Sequence, residues 1–129
     1  MIVIDENFPE SQRQLLKSWR IRIRQIGYEI GRKGLKDAEI IPLLLQLRTL
    51  TFFTLDSDFF KQDYCHSHYC LVFLDVNQYE AATFIRRFLK HNKFNTRAKR
   101  LGKVVRISHT HISIRQKHSE KDSHFPWID

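Results

Sequence analysis

Residues 51–58 read Thr-Phe-Phe-Thr-Leu-Asp-Ser-Asp, a β-rich run that stops on Asp56 and supplies Asp58 two positions later. Ile2 to Asp5 repeats the pattern, a short apolar run closed by a carboxylate. Between the two runs the period changes. Pro9 sits where a first helical turn tolerates proline, so a helix is expected over about Pro9 to Ser18. Arg20 to Ile26 then alternates, with Ile21 and Ile23 on one face and Arg20, Arg22 and Arg24 on the other, the pattern of a half-exposed strand. Gly27 to Lys36, with Gly27, Gly31 and Gly34, reads as a loop. Asp37 is the natural N-cap of the next segment. From Ile40 to Leu50 that segment is apolar on nearly all sides and reads as a buried helix, with Pro42 marking an irregular start or a kink.

Downstream, Cys70 to Val76 is a continuous apolar run of the kind buried on both faces. Gln78 to His91 sets Ala81, Ala82, Ile85, Phe88 and Leu89 on one helical face and Arg86, Arg87 and Lys90 elsewhere. Val105 and Ile107 are apolar at odd positions, whereas Ile112 and Ile114 are apolar at even ones. A strand cannot change phase without a break, so a turn falls within Ser108 to His111 and the two halves form a hairpin. Strands alternating with helices imply an α/β fold with a mostly parallel central sheet, helices on both faces and a C-terminal β-hairpin. A chain of 129 residues buries one core. A single domain is therefore expected over residues 1–117, followed by an aperiodic, loosely ordered tail over 118–129.

The opening MIVIDENFP carries no basic leader and no apolar stretch of signal-peptide length, and no later run has membrane-spanning length. Cys65 and Cys70 are too few for a disulfide scaffold. These features lead to the expectation of a cytoplasmic protein with no membrane association. The net charge of +8 is unevenly placed: through Thr83 eleven acids face ten bases, while Phe84 to Lys117 holds eleven bases and no acid. A field of one sign over a quarter of the chain attracts polyanions, nucleic acid first among them, although a solvated basic face would look the same.

Ligands of open α/β sheets bind beyond the carboxyl ends of the strands, where Asp5 and Asp56 both fall. Asp58 can turn into the same crevice, and Asp37 at a helix start, with Glu39 close by, can reach it from the neighbouring connection. Carboxylates at close range repel one another unless a hard divalent cation joins them, and Mg²⁺ or Mn²⁺ so held can activate water against a phosphodiester. Singly, each acid also fits a structural role, with a turn for Asp5, an N-cap for Asp37 or Asp56, and solvated surface for Asp58 or Glu39. The run Cys65-His66-Ser67-His68-Tyr69-Cys70 has zinc-binding residue types at a spacing too compact for a tetrahedral site. Neither a Walker-type phosphate loop nor a Gly-x-Ser-x-Gly elbow is present, which leaves nucleotide hydrolysis and acyl transfer without support. Trp19, Tyr79, Phe84 and Phe88 read as core aromatics.

The succession IVIDENFP, GRKGLKDAEII and TFFTLDSDFF resembles the small stand-alone PIN-like nucleases of bacteria, relatives of the toxin ribonucleases of toxin-antitoxin pairs. The likeness extends through CLVFLDV and the hairpin, over roughly residues 1 to 116. The resemblance implies a three-layer PIN-like fold and a metal-dependent endoribonuclease in which Asp5, Asp37, Asp56 and Asp58 bind Mg²⁺ or Mn²⁺ and carry catalysis. Glu6 and Glu39, beside matched positions, could support or replace those ligands. Departures from the family pattern are Asp63 to Tyr69, in place of a Gly- and Pro-rich connection, and Pro42. RNA is the expected partner, its backbone held by Arg86, Arg87, Lys90, Lys93, Arg106 and Arg115. A cognate antitoxin fits the resemblance, and the Arg-lined second strand with the apolar helices could support a homodimer. Two other classes fit the same residues: a PIN-like nucleic-acid- or protein-binding module without catalysis, and a phosphatase with an aspartyl nucleophile.

Overall fold

The apolar runs become five parallel strands in the computed structural model, which describes residues 1–127. They are β1 (Ile2–Ile4), β2 (Arg24–Gln25), β3 (Leu50–Thr54), β4 (Tyr69–Leu74) and β5 (Lys103–Ile107). Two antiparallel strands, β6 (His111–Gln116) and β7 (Ser123–Pro126), extend the sheet to the order β2-β1-β3-β4-β5-β6-β7. The helices are α1 (Glu10–Ser18), α2 (Asp37–Leu47), α3 (Ala81–Lys90) and the short α4 (Arg97–Arg100).

Alternation along the strands splits the apolar residues into two cores. Ile4, Phe53, Val72, Val105 and Ile112 pack on one face with Leu16 of α1 and with Ala82, Ile85 and Phe88 of α3. Val3, Phe52, Leu71 and Val104 pack on the other with Ile40 and Leu44 of α2. Each sheet residue between helices is thus buried whichever way it points, which explains why β3 and β4 are buried throughout. The mostly parallel α/β sheet with helices on both faces agrees with the sequence reading, as does the turn between β5 and β6 at residues 108–110.

Four expectations are corrected. The strand read over Arg20 to Ile26 shrinks to Arg24 and Gln25, because the chain leaves α1 through a left-handed Arg20 (φ 60°) whose successor, Ile21, bonds back to Leu16 O. The alternation itself is real: Ile21 and Ile23 pack on the core while Arg20, Arg22 and Arg24 are on the outer side. Second, Asp37 is the first helical residue rather than the cap. Lys36 occupies the cap position, and its N–H donates to Glu39 Oε1 at 3.2 Å. Ile40 and Leu44 are the buried residues of α2, whereas the helix runs through Pro42 and leaves Ile41, Leu43, Leu45 and Leu47 only partly covered. Third, the tail is not loose up to residue 127. Phe125 pairs with Ile112, and Trp127 donates from its indole Nε1 to Ser108 O at 2.8 Å. Phe125 is the one partly buried residue of a four-residue edge strand, a run too brief to show a period. Residues 128 and 129 lie outside the described residues. Fourth, Tyr79 is 63% exposed and is no core aromatic, unlike Phe84 and Phe88.

Candidate active site

The chain leaves β1 toward β2 on one side and returns to β3 on the other, so the β1/β3 boundary is the topological switch point of the parallel sheet. Crevices of this kind form where consecutive connections diverge to opposite faces, as α1 and α2 do here. Asp5 follows β1 and Asp56 follows β3, and both line a cleft of about 370 Å³ with Asn7, Phe8, Leu55 and Ser57.

Asp5 is 8% exposed and tightly held: its Oδ1 accepts from the Glu6 N–H at 2.8 Å, and its Oδ2 accepts from Thr54 Oγ1 at 2.8 Å. Burial raises its pKa; Thr54 and the Glu6 amide oppose the rise, and Asp37 and Asp56 add to it. The same Thr54 hydroxyl accepts from the Asp56 N–H at 3.0 Å. Asp56 Oδ1 accepts in turn from the Asp58 N–H at 2.9 Å, capping a short 3₁₀ turn over Ser57–Phe59 that brings the second carboxylate of Asp-Ser-Asp round.

Asp37 joins from the start of α2. One carboxylate oxygen from each of Asp37, Asp56 and Asp58 lies within 4.8 Å of the others, the one such group of three donors among the described residues. Desolvation raises the Asp37 pKa, Asp56 and Asp58 add repulsion, and Lys61 opposes the rise. Three carboxylate oxygens at this spacing could hold a divalent cation, since such ions take hard oxygen donors.

Glu6 and Glu39 lie outside this group. The Glu6 carboxylate accepts from the Gly34 N–H at 3.0 Å, and Glu39 ties Lys36 N to Arg32 Nη2, the latter at 2.8 Å. Both fasten the segment that presents Asp37.

A buried polar network supports the Asp5 loop from behind and is invisible in the sequence pattern. Gln25, 1% exposed, donates to the carbonyls of Asp5 (3.2 Å) and Glu6 (3.1 Å) and accepts from Arg13 Nη1 at 2.9 Å. Arg13 also pairs with Glu29, whose carboxyl is held down at about 2 chiefly by that guanidinium. Within the alternating stretch from Arg20 to Ile26, Gln25 shares the parity of Ile21 and Ile23, and that polar intrusion is its one available signal.

The basic residues divide by position. Arg106 pairs with Asp75, and Arg115 pairs with Asp122 while donating to Phe60 O at 2.6 Å. Arg86 lies over the Trp19 ring (3.8 Å), Arg87 over Trp127 (4.3 Å), and Lys93 over Phe125 (4.0 Å). Cys70 is fully enclosed with its thiol pushed up to about 12, and Cys65 donates to Arg115 O, so neither contributes to a zinc site among the described residues. No described helix is long and apolar enough to cross a membrane. Comparison with protein-family models, curated proteins and solved structures gave no match.

Proposed function

We propose that the chain is a three-layer PIN-like nuclease, a divalent-metal-dependent endoribonuclease that hydrolyses phosphodiester bonds with Asp5, Asp37, Asp56 and Asp58. The observation that carries this reading is the meeting of Asp37, Asp56 and Asp58 within 4.8 Å, beside Asp5, at the β1/β3 switch point. Three mutually repelling carboxylates without a paired cation are costly, and a Mg²⁺ or Mn²⁺ ion held by them would offset that cost. Such an ion supplies activated water and stabilises charge on the phosphate.

The protein's own part is positional. Thr54 fixes the Asp5 carboxylate, the Asp58 amide fixes Asp56, and the Glu6 and Glu39 contacts fix the approach of Asp37. Lys61, whose charge acts on Asp37, is suitably signed to meet a substrate phosphate. The exposed bases of the second half would attract RNA, and toxin activity with a cognate antitoxin belongs to the same reading.

RNA cleavage with Mn²⁺, Mg²⁺ or chelator is the test. Cleavage that needs the metal and disappears in Asp56→Asn supports the nuclease. Salt-sensitive RNA binding with no cleavage in any metal supports a PIN-like binding module instead.

A further inference from the structure

The chain is rich in aromatic rings, and the two cores and their margins cover nearly all of them. Among the described residues only two are exposed, Tyr28 at 54% and Tyr79 at 63%. Tyr28 comes soon after the end of β2, and Tyr79 soon after the end of β4. In the order β2-β1-β3-β4 these strands stand immediately outside β1 and β3, which carry Asp5 and Asp56. Both exposed tyrosines thus belong to the carboxyl end of the parallel sheet, one on each side of the acidic cleft. A single exposed tyrosine is ordinary surface. Finding both at one end of the sheet, on either side of one cleft, calls for an explanation.

Both are held in place. The Tyr28 N–H donates to Gln25 O at 3.1 Å, and the side chain of the same Gln25 holds the carbonyls of Asp5 and Glu6. A methyl group on the neighbouring Gly27 would meet the Glu6 carboxylate at 2.7 Å, so this loop sits directly against the residue after Asp5. Arg13 and Lys33 lie 5.3 and 5.0 Å from the Tyr28 ring centroid. Tyr79 lies in a short 3₁₀ turn over Gln78–Glu80, where its N–H donates to Asn77 Oδ1 at 2.9 Å. That turn packs on α1, and Gln12 of α1 accepts from the Ala82 N–H just beyond it at 2.9 Å. Asn7 and Phe8, which lead into α1, line the cleft. Among the described residues the Tyr79 side chain has no hydrogen-bond, ring or cation partner.

A positioned, open aromatic ring beside a cleft suited to phosphate chemistry can stack a nucleobase, because every base offers a π face. Bases within a duplex have those faces covered by their neighbours, whereas single strands can splay them out. We propose that Tyr28 and Tyr79 stack bases on the two sides of the acidic cleft and restrict its substrate to single-stranded RNA, an inference that rests on the nuclease reading above. Lys33, already beside the Tyr28 ring, supplies a cation for the backbone at that platform.

The test is titration of the full chain, in chelator so that nothing is cleaved, with a uridine octamer and with an octamer of the same backbone that lacks bases. Wild type should bind the uridine octamer more tightly. Tyr28→Ala and Tyr79→Ala should each weaken that binding roughly tenfold and leave the abasic octamer unaffected, whereas Tyr28→Phe and Tyr79→Phe, which keep the π face, should bind as wild type does. Unchanged affinity of the alanine variants for the uridine octamer, or an equal loss on both octamers, overturns the proposal. Cleavage with Mn²⁺ separates it from the reading it rests on. Wild type that cuts a duplex as fast as a single strand refutes the restriction and keeps the nuclease. Tyrosine-dependent binding of bases with no cleavage in any metal upholds the stacking and removes the nuclease.

Discussion

Thr54 Oγ1 donates to Asp5 Oδ2 at 2.8 Å from a side chain that is itself fully buried. The same oxygen accepts from the Asp56 amide at 3.0 Å, so one hydroxyl joins the two strand ends that form the acidic cleft. Thr54→Val preserves shape but leaves a buried carboxylate oxygen and an amide without this partner. The expected loss is about 1–3 kcal/mol of stability, with weaker Mn²⁺ binding, and Thr54→Ser should restore much of both. Denaturant melts and Mn²⁺ titration of the two variants measure this.

Asp37 gives a sign that separates a ligand from a structural acid. Its carboxyl pKa is raised by desolvation and by Asp56 and Asp58, so the folded state prefers it protonated. A raised acid favours the fold below its unfolded pKa, and that contribution is lost as pH rises through the folded value. Without metal, Asp37→Asn should therefore melt no lower than wild type at pH 7 and converge with it as pH falls toward 4. With Mn²⁺ the order should reverse, because wild type gains more from the ion. Thermal melts across that pH range, with and without Mn²⁺, check both halves.

The Arg13–Glu29 pair should behave in the opposite sense. Its carboxyl sits near 2 against an ordinary 4.5, so its contribution is complete above about 4.5 and fades as pH falls toward 2. Arg13→Met should cost on the order of 2 kcal/mol at neutral pH, less than a fully enclosed pair because Glu29 is partly open to water. The gap between wild type and Glu29→Gln should close in acid. A gap that stays constant from pH 6 to pH 2.5 would contradict this role.

The basic half should separate into two classes. Arg106 and Arg115 already serve Asp75, Asp122 and Phe60 O, so Arg115→Gln should lower the melting temperature. Neutralising Arg86 and Lys90 together should instead weaken RNA binding and flatten its salt dependence, with little change in melting. Filter binding at graded salt, beside melts of the same variants, distinguishes the classes.

The legibility of this fold followed local chemistry. Apolar period gave β1, β3, β4, α3 and the β5–β6 turn, and the carboxylates closing β1 and β3 gave the position of the cleft. Residues whose partners are distant in sequence stayed hidden. Gln25 matters because it meets the carbonyls of Asp5 and Glu6, twenty and nineteen residues away. Thr54 reads as an ordinary strand threonine until Asp5, 49 residues away, meets it. Residue type alone makes Asp37 a cap; the backbone at Lys36 decides otherwise and leaves the carboxylate to the acidic group. The seventh strand escaped because four paired residues on a sheet edge carry too little period to be distinguished from a polar tail.

The decisive measurement is cleavage of a defined single-stranded RNA by wild type and Asp56→Asn, with Mn²⁺ or chelator, on samples whose melting temperatures are known. Asp56→Asn keeps the size of the side chain and an oxygen that can accept from the Asp58 amide, while removing the charge that would offset a cation. The expected result is Mn²⁺-dependent cleavage by wild type and at least roughly a hundredfold loss in the folded variant, an activation penalty of about 2.7 kcal/mol. Equal, metal-dependent cleavage by a variant that melts at a lower temperature would show Asp56 to be a structural cap and would contradict the assignment of the acidic cleft as the catalytic centre.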